Sequence, residues 1–173
     1  MSNVTHLIGS IAEFNPKRGP AIEPYREATR RAIEVLPVID ENPSFSKGQV
    51  SVTGEDYRQG SYQGYRLVHF GGIYNHLLTD FDRLLTKIET MMDRMFWTEA
   101  EIFVDGGWEG PSFRLSYKVS GETIEQYLNG TTTDRKFEIS LLNHNNSEPR
   151  KWDLKPYLGE ERASLVNSET QNA

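Results

Sequence analysis

Hydrophobic side chains recur every three or four residues over 76–96, and this stretch predicts the longest helix of the chain. Charged residues fill its opposite face, and no residue inside it breaks a helix. A second helix is predicted over 23–36, where Pro24 suits the first turn and Pro37 ends the pattern. The apolar stripe of the long helix consists of Leu77, Leu78, Phe81, Leu84, Leu85, Ile88, Met91, Met92 and Met95.

Two shorter helices complete the helical part of the pattern. The first is predicted over 3–13, where Leu7, Ile8 and Ile11 share one helical face. The second is predicted over 122–128, between two segments whose apolar residues alternate instead.

Alternating apolar and polar residues predict five strands, over 49–53, 62–70, 99–104, 112–119 and 135–142. Gly71 and Gly72, which follow the second strand, are interpreted as a plain turn. The third and fourth strands form a hairpin, whose inward-facing residues are expected to be Ile102, Val104, Phe113, Leu115, Tyr117 and Val119.

The order of these elements predicts an α+β fold, with an antiparallel sheet of about four to five strands and helices packed on one face. It contains too few strand–helix–strand crossovers for a parallel sheet. A chain of 173 residues suits a single domain, which we expect to cover residues 1–158. Residues 159–173 are polar and are predicted to form a flexible C-terminal tail.

The composition predicts a soluble, cytoplasmic protein. The chain has no Cys, which fits a reducing compartment, and no apolar run long enough for a membrane span. Its first residues lack the basic and apolar regions of a secretory signal. The net charge of −6 argues against direct binding of nucleic acid, whose affinity comes mostly from Lys and Arg contacts with phosphates.

Patterns typical of catalysis or of metal binding are weak in this sequence. The only close pair of histidines, His69 and His76, would need a strand end and a helix start to meet before it resembled a metal site. No serine lies in a nucleophile motif, and no glycine-rich phosphate loop is complete. We therefore expect no metal, no cofactor and no enzymatic activity.

An acidic loop between the two hairpin strands is the best candidate for a binding site. It reads D-G-G-W-E-G-P over 105–111, and every charged residue from 97 to 112 is acidic. A tryptophan on such a loop is typical of an interface anchor, and the acids would steer a basic protein partner. Two other interpretations stay open: the tryptophan covers its own hairpin, or the acids form a solvated face. The predicted partner-binding residues are Glu99, Glu101, Asp105, Trp108 and Glu109.

The long helix is followed by a hairpin whose second strand reads W-E-G-P-S-F-R-L-S-Y-K-V-S-G. This combination, over residues 79–121, resembles the small immunity proteins of bacterial polymorphic toxin systems, including the YezG-like group. The resemblance implies an acidic cytoplasmic α+β protein that has no catalytic activity and occludes the active site of a toxin. It also implies a protein partner, often a basic nuclease.

The first functional hypothesis is therefore a non-enzymatic protein-binding inhibitor of the immunity type, which neutralises a toxin or effector. A phage-encoded inhibitor of host defence belongs to the same class. The rival hypothesis is a small-molecule-binding or enzymatic domain, with an apolar pocket between the sheet and the long helix near Tyr65, His69, Tyr74 and His76. A third is a structural protein that pairs with itself through a sheet edge.

Overall fold

The computed structural model describes residues 4–16, 22–53, 66–107, 110–131, 135–143 and 155–167. The strands in this part are β1 (Val4–Glu13), β2 (Val50–Thr53), β3 (Leu67–Asn75), β4 (Trp97–Asp105), β5 (Ser112–Val119), β6 (Phe137–Asn143) and β7 (Val166–Asn167). The helices are α1 (Glu23–Glu34), α2 (Phe81–Met92), α3 (Gly121–Leu128), α4 (Lys155–Leu158) and α5 (Glu160–Leu165). Short 3₁₀ turns over Lys47–Gln49 and Leu77–Asp80 precede β2 and α2.

All seven strands belong to one sheet in the order β2-β3-β1-β4-β5-β6-β7. The pairings from β2 to β6 are antiparallel, and the two-residue β7 pairs parallel with β6. The predicted antiparallel α+β fold is confirmed, with six antiparallel strands where four to five were expected. The extra strand is β1, which lies in the middle of the sheet between β3 and β4.

The predicted helix over 3–13 is wrong, because this region forms β1. An added Cβ on Gly9 would stand 2.1 Å from Cζ of Phe70 on β3, so only glycine fits beneath that ring. Three of the five buried residues on this strand are not large hydrophobic residues, so the alternation is hard to recognise in the sequence. The buried positions are Thr5, Leu7, Gly9, Ile11 and Glu13.

Gly71 and Gly72 lie inside β3, so their interpretation as a turn is also wrong. An added Cβ on Gly71 would lie 2.8 Å from the backbone oxygen of Leu7. One on Gly72 would lie 2.7 Å from the amide nitrogen of Gln49. The two glycines therefore permit close packing within the sheet rather than a chain reversal. The chain leaves the strand at His76, whose φ of 56° lies in the left-handed region.

Helices cover one face of the sheet, and the core fills the space between the two layers. The apolar stripe of α2 is buried as predicted, with Leu84 and Ile88 fully inaccessible to solvent. Phe81 packs edge-on against Phe113 of β5, with the ring centroids 5.4 Å apart. The α-helix begins at Phe81, later than expected, because residues 77–80 form a 3₁₀ turn. The inward-facing residues predicted for the hairpin are all buried.

Residues 155–167 pack on the body of the protein, so this packing continues past the predicted domain boundary at residue 158. Leu158 at the end of α4 is fully buried, and Val166 of β7 is also buried. Between them, Arg162 of α5 donates two hydrogen bonds to the carboxylate of Glu89 on α2, at 2.7 and 2.5 Å. Residues 160–167, which were assigned to a polar tail, thus form a helix and a short strand. Residues 168–173 lie outside the described part of the chain.

Candidate functional site

One face of the sheet carries no helix in the described structure, and we call it the open face. It is built from alternate residues of the four central strands, whose other side chains fill the core. Three of the five predicted partner-binding residues lie on it. Its members are His69 and Ile73 of β3, His6, Ile8 and Ser10 of β1, Glu99, Glu101, Phe103 and Asp105 of β4, and Arg114, Ser116 and Lys118 of β5.

Large hydrophobic side chains lie at the centre of the open face. Ile8 is 65% exposed, Ile73 is 70% exposed and Phe103 is 38% exposed. Ile8 stands directly opposite Phe103 in the register of β1 and β4. On the other side of β1, Ile73 of β3 is the diagonal neighbour of Ile8. Exposed apolar side chains that are grouped together and rimmed by polar residues are typical of a surface that another molecule covers.

The apolar centre was not predicted from the sequence, for a local reason. As long as residues 3–13 are taken for a helix, Ile8 falls on the same face as Leu7 and Ile11. In a strand, neighbouring residues point to opposite sides of the sheet, so Ile8 lies on the open face while Leu7 lies in the core. The signal that would have revealed it is the alternation along β1, once Gly9 is accepted as a buried position.

The predicted acids Glu99 and Glu101 face basic neighbours across the sheet. Lys118 Nζ lies 3.6 Å from Glu99 Oε1, and Arg114 Nη1 lies 3.7 Å from Glu101 Oε1. All four side chains are at least 40% exposed, so each pair contributes only about 0–1 kcal/mol to stability. The pairs still offset two of the three acids on the open face. Its attraction for a basic partner is therefore smaller than the run of acids in the sequence indicates.

Asp105 has a local role at the end of β4. Its Oδ1 accepts hydrogen bonds from the backbone N–H of Gly107 at 3.0 Å and from the hydroxyl of Ser112 at 2.9 Å. These bonds hold the start of the hairpin loop in place. Trp108 and Glu109 lie outside the described residues, so their role in binding stays a prediction.

A polar cleft of about 550 Å³ lies beside the end of β3. Tyr74 and His76 line it together with Gln49 and Ser44. The hydroxyl of Tyr74 donates to the backbone oxygen of Ser44 at 2.9 Å and accepts from Gln49 Nε2 at 3.0 Å. Burial raises the pKa of Tyr74, so its hydroxyl stays protonated near neutral pH.

The rival hypothesis expected an apolar pocket between the sheet and the long helix. The described core between these layers is filled by buried side chains. Tyr74 and His76 line the polar cleft instead, His69 lies on the open face, and Tyr65 is outside the described residues. The structure thus brings together two of the four residues named for that pocket, in a site of different polarity.

A second group of exposed hydrophobic side chains lies on the helix side of the molecule. Val38 and Ile39, in the segment after α1, are 82% and 90% exposed. They adjoin a groove of about 210 Å³ between α1 and α2, which is lined in part by Leu36, Phe45 and Met91. This group supplies a matched control for experiments on the open face.

A buried ion pair that was not predicted from the sequence joins β1 to the residue before β3. Glu13 and Arg66 are 2% and 4% exposed, with Arg66 Nε 3.6 Å from Glu13 Oε2. Thr29 of α1 donates a hydrogen bond to Glu13 Oε1. Burial raises the pKa of Glu13, while the hydrogen bond from Thr29 and the charge of Arg66 oppose this shift. Its position between three elements gives the pair a structural role.

Metal-binding groups and membrane-spanning helices are both absent from the described residues. Among them, no group of three or more His, Asp or Glu side chains is arranged to hold a metal ion. No helix in the described ranges combines the length and the apolar character needed to cross a membrane.

Comparison with known proteins does not assign the chain to a family. No protein-family model, no curated protein and no solved structure matches it. The resemblance to immunity proteins of polymorphic toxin systems therefore stays a prediction.

Proposed function

We propose that this chain is a non-enzymatic binding protein and that its partner, another protein, docks on the open face. The observation that carries the proposal is the exposure of Ile8, Ile73 and Phe103 at the centre of that face. Removing a large aliphatic or aromatic side chain from water is worth about 1.5–3 kcal/mol. Covering this apolar centre therefore contributes favourable free energy to the binding of a partner.

The polar residues around the apolar centre set the orientation of the partner. Glu99 and Glu101 belong to this rim, where their pairing with Lys118 and Arg114 leaves a face of mixed charge. Rim charges mainly affect association rate and specificity, whereas the buried centre carries most of the affinity. Apolar contact thus supplies most of the affinity for the partner, and the charges mainly set its orientation and specificity.

The finer proposal is an inhibitor of the immunity type, which occludes a toxin or effector. The net charge of −6 and the resemblance over residues 79–121 support it. A partner with a basic site is complementary to the net negative charge of the whole chain. It is less complementary to the open face, where bases pair with Glu99 and Glu101. Trp108 and Glu109, three and four residues after Asp105 in the sequence, would extend the contact surface.

The test compares one substitution on the open face with the same substitution elsewhere. The partner is captured in the native host by a photo-crosslinking residue placed on the open face, identified, and purified. Its affinity is then measured by calorimetry for the natural chain, Ile8→Asp and Ile39→Asp. Ile8→Asp should weaken binding by about tenfold or more, whereas Ile39→Asp, on the helix side, should change it by about twofold at most.

Both isoleucines are largely exposed, so neither substitution should lower the free energy of unfolding by more than about 1 kcal/mol. Equal affinity of Ile8→Asp and the natural chain would refute the open face as the docking site. A loss caused by Ile39→Asp alone would move the interface to the helix side.

The immunity-type proposal has a separate test in cells. The captured partner is expressed in a host that it harms, with and without this chain. Co-expression of the natural chain should restore growth, and Ile8→Asp should not. A partner that is harmless on its own would contradict inhibition of a toxin, although the binding proposal would stand.

A further inference from the structure

β3 is longer than the strand that covers its outer side. Leu67–Phe70 pair with β2, whereas residues 71–75 pair with β1 alone among the described strands. We call residues 71–75 the β3 edge. Such an edge presents N–H and C=O groups that pair readily with another extended chain.

The backbone groups of alternate residues point outward from the β3 edge. Gln49 Nε2 approaches the backbone oxygen of Gly71 to 3.5 Å from the β2 side, so this carbonyl points away from β1. Backbone groups alternate between the two sides of an antiparallel strand. The N–H and C=O groups of Ile73 and of Asn75 therefore point the same way as those of Gly71, and those of Tyr74 point toward β1.

The polar cleft of about 550 Å³ lies along this edge and includes Ile73 and Asn75 in its walls. A volume of this size holds a small ligand or a short chain segment rather than a folded domain. The opposite wall is held in place by Gln49, whose Oε1 accepts a hydrogen bond from the backbone N–H of Ser46 at 2.8 Å. The cleft is thus bounded on one side by the strand edge and on the other by a fixed loop.

The chemistry of the cleft favours an extended peptide over a small molecule. On the β3 edge, the outward donor–acceptor pairs of Ile73 and Asn75 are two residues, about 7 Å, apart, which is the repeat of another extended backbone. Asn42 lines the cleft, and its side-chain amide has the donors and acceptors that peptide groups need, whereas the amide of Gln49 is already bonded to Ser46, Tyr74 and Gly71. The exposed side chain of Ile73 stands beside the same edge and provides an apolar contact for an alternate residue of that peptide.

We infer that a segment of the protein partner adds to the sheet as a strand along the β3 edge. The inference rests on the proposed function, since this segment belongs to the partner that covers the open face. Ile73 connects the two surfaces, because its side chain lies on the open face and its backbone lies on the edge. Main-chain hydrogen bonds would supply affinity, and the apolar centre would select the side chains.

The experiment uses random nine-residue peptides displayed on phage and selected against the full chain. A synthetic copy of the most enriched peptide is titrated against the natural chain, Ile73→Pro and Ile73→Ala. Proline removes the outward N–H without touching the bonds of β3 to β1, and the glycine before it tolerates the ring. Ile73→Pro should weaken binding by about tenfold or more, and Ile73→Ala by about threefold or less.

Hydrogen exchange on the unaltered chain gives a second measurement, which holds even if Ile73→Pro does not fold. In the free chain the amides of Ile73 and Asn75 should exchange quickly, and the bound peptide should slow both. The amide of Tyr74, which points toward β1, should be protected in either state.

Several results would overturn the inference. These are the selection of no peptide, equal binding by Ile73→Pro and Ile73→Ala, or unchanged exchange of the Ile73 and Asn75 amides. Self-association of the natural chain that is lost in Ile73→Pro would show that a second copy occupies the edge, as the structural-protein hypothesis expects. If any of these occurs while Ile8→Asp still weakens binding of the captured partner, the strand-addition inference is wrong and the proposed function stands. If the peptide binds as expected but Ile8→Asp changes nothing, the proposed function fails instead.

Discussion

Arg162 joins α5 to α2, and its replacement by methionine tests whether the C-terminal segment packs on the body of the protein. Its Nε and Nη2 donate to the two carboxylate oxygens of Glu89 at 2.7 and 2.5 Å, and Nη2 also donates to Thr86 Oγ1 at 2.8 Å. Nη1 donates to the backbone oxygen of Leu158 at 3.2 Å. Arg162→Met would keep most of the length of the side chain and none of these bonds.

The expected cost follows from how little water reaches this pair. The side chains of Arg162 and Glu89 are 14% and 24% exposed, so solvent screens them less than it screens a surface pair. A hydrogen bond to a charged group contributes about 1.5–3 kcal/mol, and several bonds to one guanidinium do not add fully. The variant leaves Glu89 with the hydroxyl of Tyr117, at 3.0 Å, and without its cation. We expect a loss of about 2–3 kcal/mol, which lowers the melting temperature by about 4–12 °C.

Urea unfolding followed by tryptophan fluorescence measures this loss. Arg31→Met is the matched control, because Arg31 pairs with Glu27 on α1 at 2.8 Å but is 74% exposed. That substitution should cost less than about 0.5 kcal/mol. A double-mutant cycle of Arg162→Met with Glu89→Gln should show a coupling of at least about 1 kcal/mol. Equal and small losses for Arg162→Met and Arg31→Met would refute the packing of α5 and favour the tail predicted from residue 159.

Two further predictions concern the centre of the sheet. Burial raises the pKa of Glu13, so above about pH 4.5 the native state binds more protons there than the unfolded chain, and stability falls as the pH rises. The free energy of unfolding is measured in urea at pH 4.5 and at neutral pH. Between these two pH values the natural chain should lose more stability than Glu13→Gln does. If the natural chain gains stability instead, the charge of Arg66 rather than burial sets this pKa. Gly9→Ala should cost about 1–3 kcal/mol in thermal unfolding, because its Cβ would lie 2.1 Å from Phe70 Cζ. Gly48→Ala, with nothing within 4 Å of the added Cβ, should be neutral or stabilising by up to about 1 kcal/mol, and similar effects at both glycines would mean that the ring of Phe70 moves aside at no cost.

Much of the fold was predictable because periodicity is a local property of the chain. The stripe of α2 and the alternation of β4 and β5 place nearly every hydrophobic residue on a buried side, so each pattern has one interpretation. β1 was not predictable in this way, since Thr5, Gly9 and Glu13 occupy buried positions for reasons that lie on other elements. A glycine is needed at position 9 because the ring of Phe70 on β3 lies against it. Glu13 can be buried because it pairs with Arg66 and accepts a hydrogen bond from Thr29.

The candidate site was predictable only in part. The strand alternation placed Glu99 and Glu101 on the solvent side of the hairpin, and they lie there. Their partners on β5 depend on the register, which a count of charges along the sequence does not contain. The apolar centre of the open face requires β1 and β3 to stand next to β4, so no single segment reveals it.

The sequence by itself determined the helices and strands with a clear period, the antiparallel α+β class, and an acidic chain without cysteine. Each of these follows from residue type and spacing, which act over a few positions. Only the tertiary structure decided which strands are neighbours, and with that the open face, the β3 edge and the balance of charge on β4 and β5. The physical reason is that a sheet joins residues far apart in the chain, so its exposed surface and its unpaired edge exist only once the strands have assembled.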